Sequence, residues 1–421
     1  MTLNDDGMRL LAPADAEAMA RSFDLMHLPD GFVDDPYPIY HALRMHAPVR
    51  IMPDGSVFLT RHDDLERVYK DTTTFSSDKH AEFKPKFGDG SLFEHHTTSL
   101  VFNDPPLHTR VRRIIAGALT PRAIAAMEAP VTMLVDRLLD DMAIKAKAGA
   151  SVDLIDDFAA AIPVEVIGNM LVVPHEDRGP LRDWSLAILG ALEPSPSAAQ
   201  LEAGEQAVDD FLAYLRQLVA ARRRRPGDPE NDVLTRLIQG EVDGERLSET
   251  QLLHNVIFIL NAGHETTTNL IGNGLVALLE WPDEKRRLVD DPALVRTAVE
   301  EFLRFESSNQ LGNRRTTVAV EIGGRPFPAG TPVTLCIGAA NRDPERFARP
   351  DVLDVARRPN RHLAFASGAH QCVGMNVARL EGQVAIGRFL ARFPDYHAAG
   401  EFVRGGRVRF RGFQSVPVKL A

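Results

Sequence analysis

Cysteine is nearly missing from this chain: its 421 residues include two, Cys336 and Cys372. Two cysteines so far apart in sequence give neither a disulfide framework nor a zinc spacing, and they cannot hold an iron–sulfur cluster. A cysteine with a chemical task must therefore act alone, as nucleophile or as metal ligand. An excess of positive charge is missing too. The formal net charge of −10 argues against a nucleic-acid partner, because phosphate binding requires a basic face. The run Arg222 to Arg225 precedes "PGDPEND" and reads as a helix end entering a solvated loop. No apolar run approaches the ~20 residues that span a bilayer. The opening "MTLNDDGMRLLAPADAEAMA" lacks the basic, apolar and small-residue succession of a signal peptide, so a cytoplasmic protein without membrane contact is expected. Internal repeats, low-complexity tracts and long Pro/Gly/Ser linkers are also absent. A single domain over residues 1–421 is expected, with roughly the first 30 residues loosely attached.

What is present is a globular composition, 44% hydrophobic and 25% charged, with enough apolar residues for a sizeable core. Helical periodicity dominates from about Pro105 to Arg304. Strand patterns are confined to short pieces. "VRIMPDGSVFLT" reads as a hairpin about Asp-Gly, and "TVAVEIGGRPFPAGTPVTLCIG" alternates around Gly-Gly and Pro-Ala-Gly turns. The fold class expected is mainly α with a small β-rich flank. The longest helix starts at a capping box, Ser248 and Gln251, and stops before Pro282. About 32 residues would make a rod of roughly 48 Å, and its polar centre, "NAGHETTTN", would lie at the centre of the protein.

The C-terminal segment "RHLAFASGAHQCVGMNVARLEGQ" puts Cys372 at the start of a helical stripe, Val373, Val377, Leu380 and Val384. The helix dipole and unpaired N–H groups would lower the thiol pKa there. Gly368 and Gly374 would remove side chains that keep a flat ligand from the sulfur. A buried cysteine that merely opens a helix is the plainer reading of these features alone.

Phe365, Gly368, His370, Cys372 and Gly374 fill the pattern F-x-x-G-x-H-x-C-x-G and so resemble the haem-binding loop of the cytochrome P450 family. Glu301 to Arg304 matches that family's E-x-x-R helix, with Arg357 at the position of its second arginine. "NDPPLHTRVRR" and "NRRTTVAVEIGG" match its further haem-contacting segments, and "AGHETT" matches its oxygen-binding segment. The segment of Arg314 departs from the pattern at Ala319, where an acidic residue is usual, which bears on local β geometry. The resemblance runs from about Asp35 to the C-terminus. It implies a P450-like helical fold and heme b (iron protoporphyrin IX), with Cys372 as axial iron ligand and Phe365 beside the sulfur. His108, Arg112, Arg314 and His370 would serve the haem propionates. Glu301, Arg304 and Arg357 would form a buried ion network fixing the cysteine loop.

The resemblance also implies a monooxygenase that places one oxygen atom of O2 into an organic substrate, by hydroxylation or O-dealkylation. Small Ala262 and Gly263 would let the long helix approach the porphyrin. Glu265 and Thr266 would deliver protons, with the Thr266 hydroxyl competing for the carbonyl four residues back and loosening the helix. Rival motifs fail on their own terms. His264-Glu265 lacks the second histidine of H-E-x-x-H, since Thr268 stands there. The G-x-G-x-x-A pattern from Gly272 to Ala277 falls inside a running helix rather than after a strand. A haem sensor without turnover, or a peroxide-driven variant, would not need Glu265 and Thr266.

With no flavin or iron–sulfur segment, electrons must come from a separate protein, a ferredoxin with its reductase, docking near Arg110, Arg113 and Arg379. A monomer is expected. Phe258, Asn261 and Gln310 are candidate pocket residues, beside Ala262, Asn309 and Leu311. "DKHAEFKPKFGDGSLFEHHTTSLVF" is expected to form a lid with Phe and Leu inward and Lys outward, His95 and His96 being solvated or capping. The expected substrate is small or medium, mostly apolar or aromatic, with a polar group near Asn261 or Gln310.

Overall fold

The computed structural model describes residues 2–3, 8–229, 232–242 and 244–420. Among them, sixteen α-helices follow in chain order. The first eight are α1 (Pro13–Ser22), α2 (Tyr37–His46), α3 (His62–Lys70), α4 (His80–Phe87), α5 (Ser91–Thr98), α6 (Leu107–Ala118), α7 (Pro121–Lys147) and α8 (Ala161–Met170). The others are α9 (Leu181–Gly190), α10 (Ala198–Arg224), α11 (Val233–Gln239), α12 (Glu249–Glu280), α13 (Pro282–Asp290), α14 (Val295–Phe305), α15 (Ile337–Ala340) and α16 (Met375–Arg392).

The axis of the molecule is α12, 32 residues from Glu249 to Glu280. Its start is the capping box read from the sequence: Ser248 Oγ accepts from Gln251 N at 3.2 Å, and Gln251 Oε1 accepts from Ser248 N at 3.1 Å. Helices α8, α9, α14 and α16 pack along it. Leu260, Leu270, Ile271 and Leu275 tie it into the main apolar cluster, with Ile155, Phe302 and Ile386 from its neighbours.

The β-rich flank is a five-stranded sheet in the order Val49–Ile51, Val57–Leu59, Pro332–Cys336, Leu311–Thr316, Phe75–Ser76. The first two strands are the hairpin about Asp54-Gly55, where Gly55 takes φ +82°. Val57–Leu59 then runs parallel to Pro332–Cys336, the other neighbours being antiparallel. The register sets Arg314 opposite Val333 and fixes where its side chain leaves the strand. A separate hairpin joins Val403–Arg404 to Phe413–Ser415. No single helix among the described residues is long and apolar enough to cross a membrane.

Three expectations need correction. From Pro13 onward the N-terminal segment is packed: Ala16, Ala20 and Phe23 are buried with Tyr40 and Phe58 in one cluster. The reason is the apolar face of α1, which α2 covers. Second, the stretch from Asp78 to Phe102 folds into α4 and α5 with Phe83 and Leu92 inside, as expected, but Lys79 is also buried and Lys86 is half-buried. Third, His95 and His96 are buried rather than solvated, their rings packed together and against His254 or Phe102. The basic run at the end of α10 is partly paired, with Arg222 3.1 Å from Asp232 and Arg223 2.6 Å from Glu249.

Candidate active site

The loop before α16 folds back on itself, and Cys372 N donates to Phe365 O at 2.9 Å. Gly368 adopts φ +69°, and a Cβ there would lie 2.6 Å from the Tyr69 carbonyl. Its missing side chain is thus required by packing against the end of α3, not by an approaching ligand. Gly374 has open space at its Cβ position, and its N–H bonds the cysteine sulfur. Cys372 is exposed by surface area. Yet protein surrounds it closely enough that burial pushes its thiol up, against the pull of the Gly374 N–H, Arg112 and Arg379. Both observations fit a sulfur at the floor of a recess. The lowered pKa expected from the helix end does not hold, because Cys372 precedes Met375, the first residue of α16, and desolvation outweighs the N–H groups.

Around this sulfur the fold gathers His108 and Arg112 from α6, Arg314 from its strand, and His370. The rings of His108 and His370 lie 3.9 Å apart at 33°. Burial, followed by nearby arginines, pushes His108 down to about 4 and His370 to about 2. Both imidazoles are therefore neutral near pH 7, and Arg112 and Arg314 carry the positive charge. His370 Nε2 meets Ser77 Oγ at 3.1 Å, and Arg314 Nη1 donates to Asn313 O at 2.7 Å. Both ring nitrogens of His108 and Nε of Arg314 are buried without a partner. Orphaned buried donors are costly. A flat macrocycle with carboxylate arms would satisfy them while setting its iron on a soft sulfur ligand, so the residues present fit haem.

The polar centre of α12 divides between two faces. Phe258, Ile259, Ala262, Gly263 and Thr266 are incompletely buried, while Leu252 to Ile257 and Thr267 to Leu278 are buried throughout. Phe258, Ala262 and Thr266 stand four residues apart on one open face. Thr266 Oγ1 donates to Ala262 O at 2.8 Å, as expected of a mid-helix threonine. The helix nonetheless stays α-helical from end to end, so the expected loosening is not seen. Gly263 belongs elsewhere: a Cβ there would meet Ile167 Cδ1 of α8 at 2.5 Å. Its smallness admits α8.

Glu265 is 7% exposed and lies against Arg407, whose Nη1 donates to both carboxylate oxygens at 2.8 and 2.7 Å. Burial pushes the Glu265 carboxyl up to about 7, outweighing Arg407. The sequence reading missed Arg407, since "RGGRVRFRG" has no period that would join it to a residue 142 positions away. Arg407 also donates to Leu186 O at 3.0 Å, tying the acid to α9.

Glu301, Arg304 and Arg357 meet in a buried ion network. Arg304 donates to both Glu301 oxygens at 2.8 and 2.7 Å, both side chains being inaccessible. Arg357 Nε reaches the same carboxylate at 3.1 and 3.0 Å, and Asn360 Nδ2 adds a bond at 3.1 Å. Arg304 further holds the carbonyls of Asn341 and Pro350, at 2.9 and 2.7 Å.

The pocket candidates fare unequally. Phe258 and Ala262 reach the open face. Asn261 is 3% exposed with both amide atoms unpartnered. Gln310 is enclosed, its Nε2 donating to Ser307 O at 2.7 Å and its Oε1 packed against Gly338. Of the proposed docking arginines, Arg379 is committed to Glu300 at 2.7 and 2.8 Å and stacks 4.9 Å from the Phe365 ring. It thereby links α16 to α14 and lies against Phe365 of the cysteine loop.

Comparison with known proteins agrees with this arrangement. The sequence model of the Cytochrome P450 family matches residues 195–394. Cytochrome P450 107B1 of Saccharopolyspora erythraea is 37% identical over 414 residues, covering 94% of this chain and 98% of that protein. The Vitamin D(3) 25-hydroxylase of Pseudonocardia autotrophica is 37% identical over 396 residues, 92% of this chain and 94% of that one. Among solved structures, P450BioI in complex with a hexadec-9Z-enoic acid-ligated acyl carrier protein superposes with a TM-score of 0.87. It is 32% identical over 93% of this chain and all of that one, a share of 100%. The chain belongs to the cytochrome P450 family. It is a monooxygenase with heme b as cofactor, acting on small molecules with O2 and a redox partner.

Proposed function

We propose that this monooxygenase hydroxylates or O-dealkylates a small or medium, mostly apolar or aromatic substrate in the cytoplasm, as a monomer fed by a ferredoxin and its reductase. The observation that carries the reading is the cysteine recess: Cys372 at its floor, with unpartnered His108 and Arg314 atoms beside the His108–His370 stack. In this reading Cys372 would hold haem through its sulfur, and Arg112 and Arg314 would neutralise the haem carboxylates, with His108 and His370 donating N–H groups. Bound there, haem supplies the reductive activation of dioxygen.

The remaining steps belong to the chain. Thr266, on the open face of α12, holds a hydroxyl proton where the substrate and oxygen meet. Glu265, whose carboxyl titrates near 7, takes protons from the Arg407 side and passes them toward Thr266. Ala262 leaves room beside the hydroxyl, and Phe258 offers an apolar wall. Asn261, enclosed and unpartnered, belongs to the pocket only if bound substrate reaches it. Glu301, Arg304 and Arg357 fix the loop that carries Cys372, as a rigid support. The test is reconstitution with a ferredoxin, its reductase and a compound library. Compounds that shift the Soret band should be oxidised with consumption of reductant. Spectral binding without any reductant-dependent product from any hit would contradict the proposal.

A further inference from the structure

The lid and the long helix meet through a series of imidazoles. His95 and His96 of α5 and His254 of α12 are 2%, 2% and 1% exposed. The ring centroids of His95 and His96 lie 5.0 Å apart, and those of His95 and His254 5.6 Å, so the three rings pack one on the next across the contact of α5 with α12. His96 continues the series into Phe83, Phe87 and Phe102, at 5.7, 5.2 and 5.8 Å. His254 stands four residues before Phe258, and Ala262 and Thr266 follow at the same spacing along one ridge. The imidazoles therefore cover α12 one turn from its open face.

Such a contact suits uncharged rings only, because a buried imidazolium beside another imidazole is costly. Burial, followed by His96 and His254, pushes His95 well below its ordinary 6.5. Burial, followed by Lys86 and Arg409, pushes His96 down to about 3. Burial also lowers His254, against the pull of Glu94, whose Oε2 lies 3.4 Å from Nε2 and whose side chain is 55% exposed. The other charged groups nearby come from the elements packed on α5. Lys86 of α4 feels Glu82 and Glu193, and Arg216 of α10 acts on His254. His80 and Lys84 of α4 lie against Phe93, at 6.0 and 5.2 Å. Glu205 of α10 accepts from the N–H groups of Ser91 and Leu92 at 2.6 and 3.1 Å, and the segment Leu100–Phe102 carries no charge.

We infer that acid releases the lid: α5 stays on α12 while His95, His96 and His254 are all neutral, and protonation of rings that water can reach in the open form holds α5 away and uncovers the face of Phe258, Ala262 and Thr266. The direction follows from linkage. A histidine held below 6.5 in the closed form contributes to closure in full above 6.5. That contribution is lost as pH falls below this value, by about tenfold per pH unit for each histidine.

The test is amide hydrogen exchange of the haem-loaded enzyme, corrected at each pH for the intrinsic rate. Three amides report release even if α5 moves as a rigid helix, because their bonds cross to other elements. Ser91 and Leu92 donate to Glu205 of α10, and Leu100 donates to Asn255 Oδ1 of α12 at 2.9 Å. Between about pH 7.5 and 5.5 their protection should fall about 100-fold, tenfold for each of His95 and His96. Amides of α16 should keep theirs, which separates release of the lid from acid unfolding. The double variant His95→Phe, His96→Phe keeps aromatic rings and removes two titrating groups, so its loss should stay within about tenfold. If that variant does not fold with haem, His96→Phe alone, placed among three phenylalanines, should reduce the parent's loss by about tenfold. Protection of Ser91, Leu92 and Leu100 that does not change with pH, an equal loss in the variants, or a parallel loss throughout α16 would overturn the inference.

Discussion

At the scale of single residues, Glu265 stands between opposed demands. Burial favours its neutral form and Arg407 its charged form, and the balance leaves it near 7. A proton donor in that position is protonated below about 7 and loses its proton as pH rises through that value. Turnover should therefore fall on the alkaline side. Arg407→Gln removes the group that favours the carboxylate, so the limb should move to higher pH; an unmoved pH–rate profile would count against the coupling. Glu265→Gln and Thr266→Val should each lower product formation on the order of 10²-fold, with the lost reductant recovered as peroxide. Glu381 gives a stability counterpart. Buried in α16 with Oε2 unpartnered, its carboxyl is pushed up to about 8 by desolvation alone. The folded chain then holds a proton that the unfolded chain releases near the ordinary value of 4.5. Stability from this group is lost as pH rises between those values. Denaturant unfolding should show Glu381→Gln gaining on the parent by about 1.4 kcal/mol per pH unit across that window.

At the scale of elements, the site depends on how α8, α14 and the cysteine loop are held against α12. Gly263→Ala forces a methyl into Ile167 and should cost about 1–3 kcal/mol. In an Ile167→Val background most of that cost should disappear, as thermal unfolding of the four proteins would show. Removing the carboxylate shared by two arginines, in Glu301→Gln, should cost about 3–5 kcal/mol and lower haem content measured after purification. These elements were unequally legible in the sequence. The ends of α12 were readable because a capping box and Pro282 are local signals. Glu301, Arg304 and Arg357 were legible as a set because their spacing in three segments is itself the motif. Gly263 and Gly368 were misread for a common reason. A glycine announces that something comes close, and only the fold says whether that is a ligand, Ile167 or the Tyr69 carbonyl.

At the scale of the whole molecule, the sequence indicated the chemistry before the surroundings that tune it. Cys372, His108, Arg112, Arg314 and His370 were nameable from short motifs, yet the neutrality of both histidines comes from burial and neighbouring arginines that no motif carries. Arg407, Glu300 beneath Arg379, and the contact of Lys86 with Glu193 escaped because their partners lie far along the chain. Electron supply is a property of the whole surface. If a ferredoxin docks near Arg113, charge reversal there should weaken reduction of the enzyme and flatten its salt dependence; unchanged rates across ionic strength would exclude that face. All of this depends on one bond. Carbon monoxide added to the reduced, haem-loaded enzyme tests it most directly. The account predicts the red-shifted Soret band of thiolate-ligated haem, lost in Cys372→Ala. A band typical of histidine-ligated haem in the parent, or an unaltered thiolate band in that variant, would contradict it.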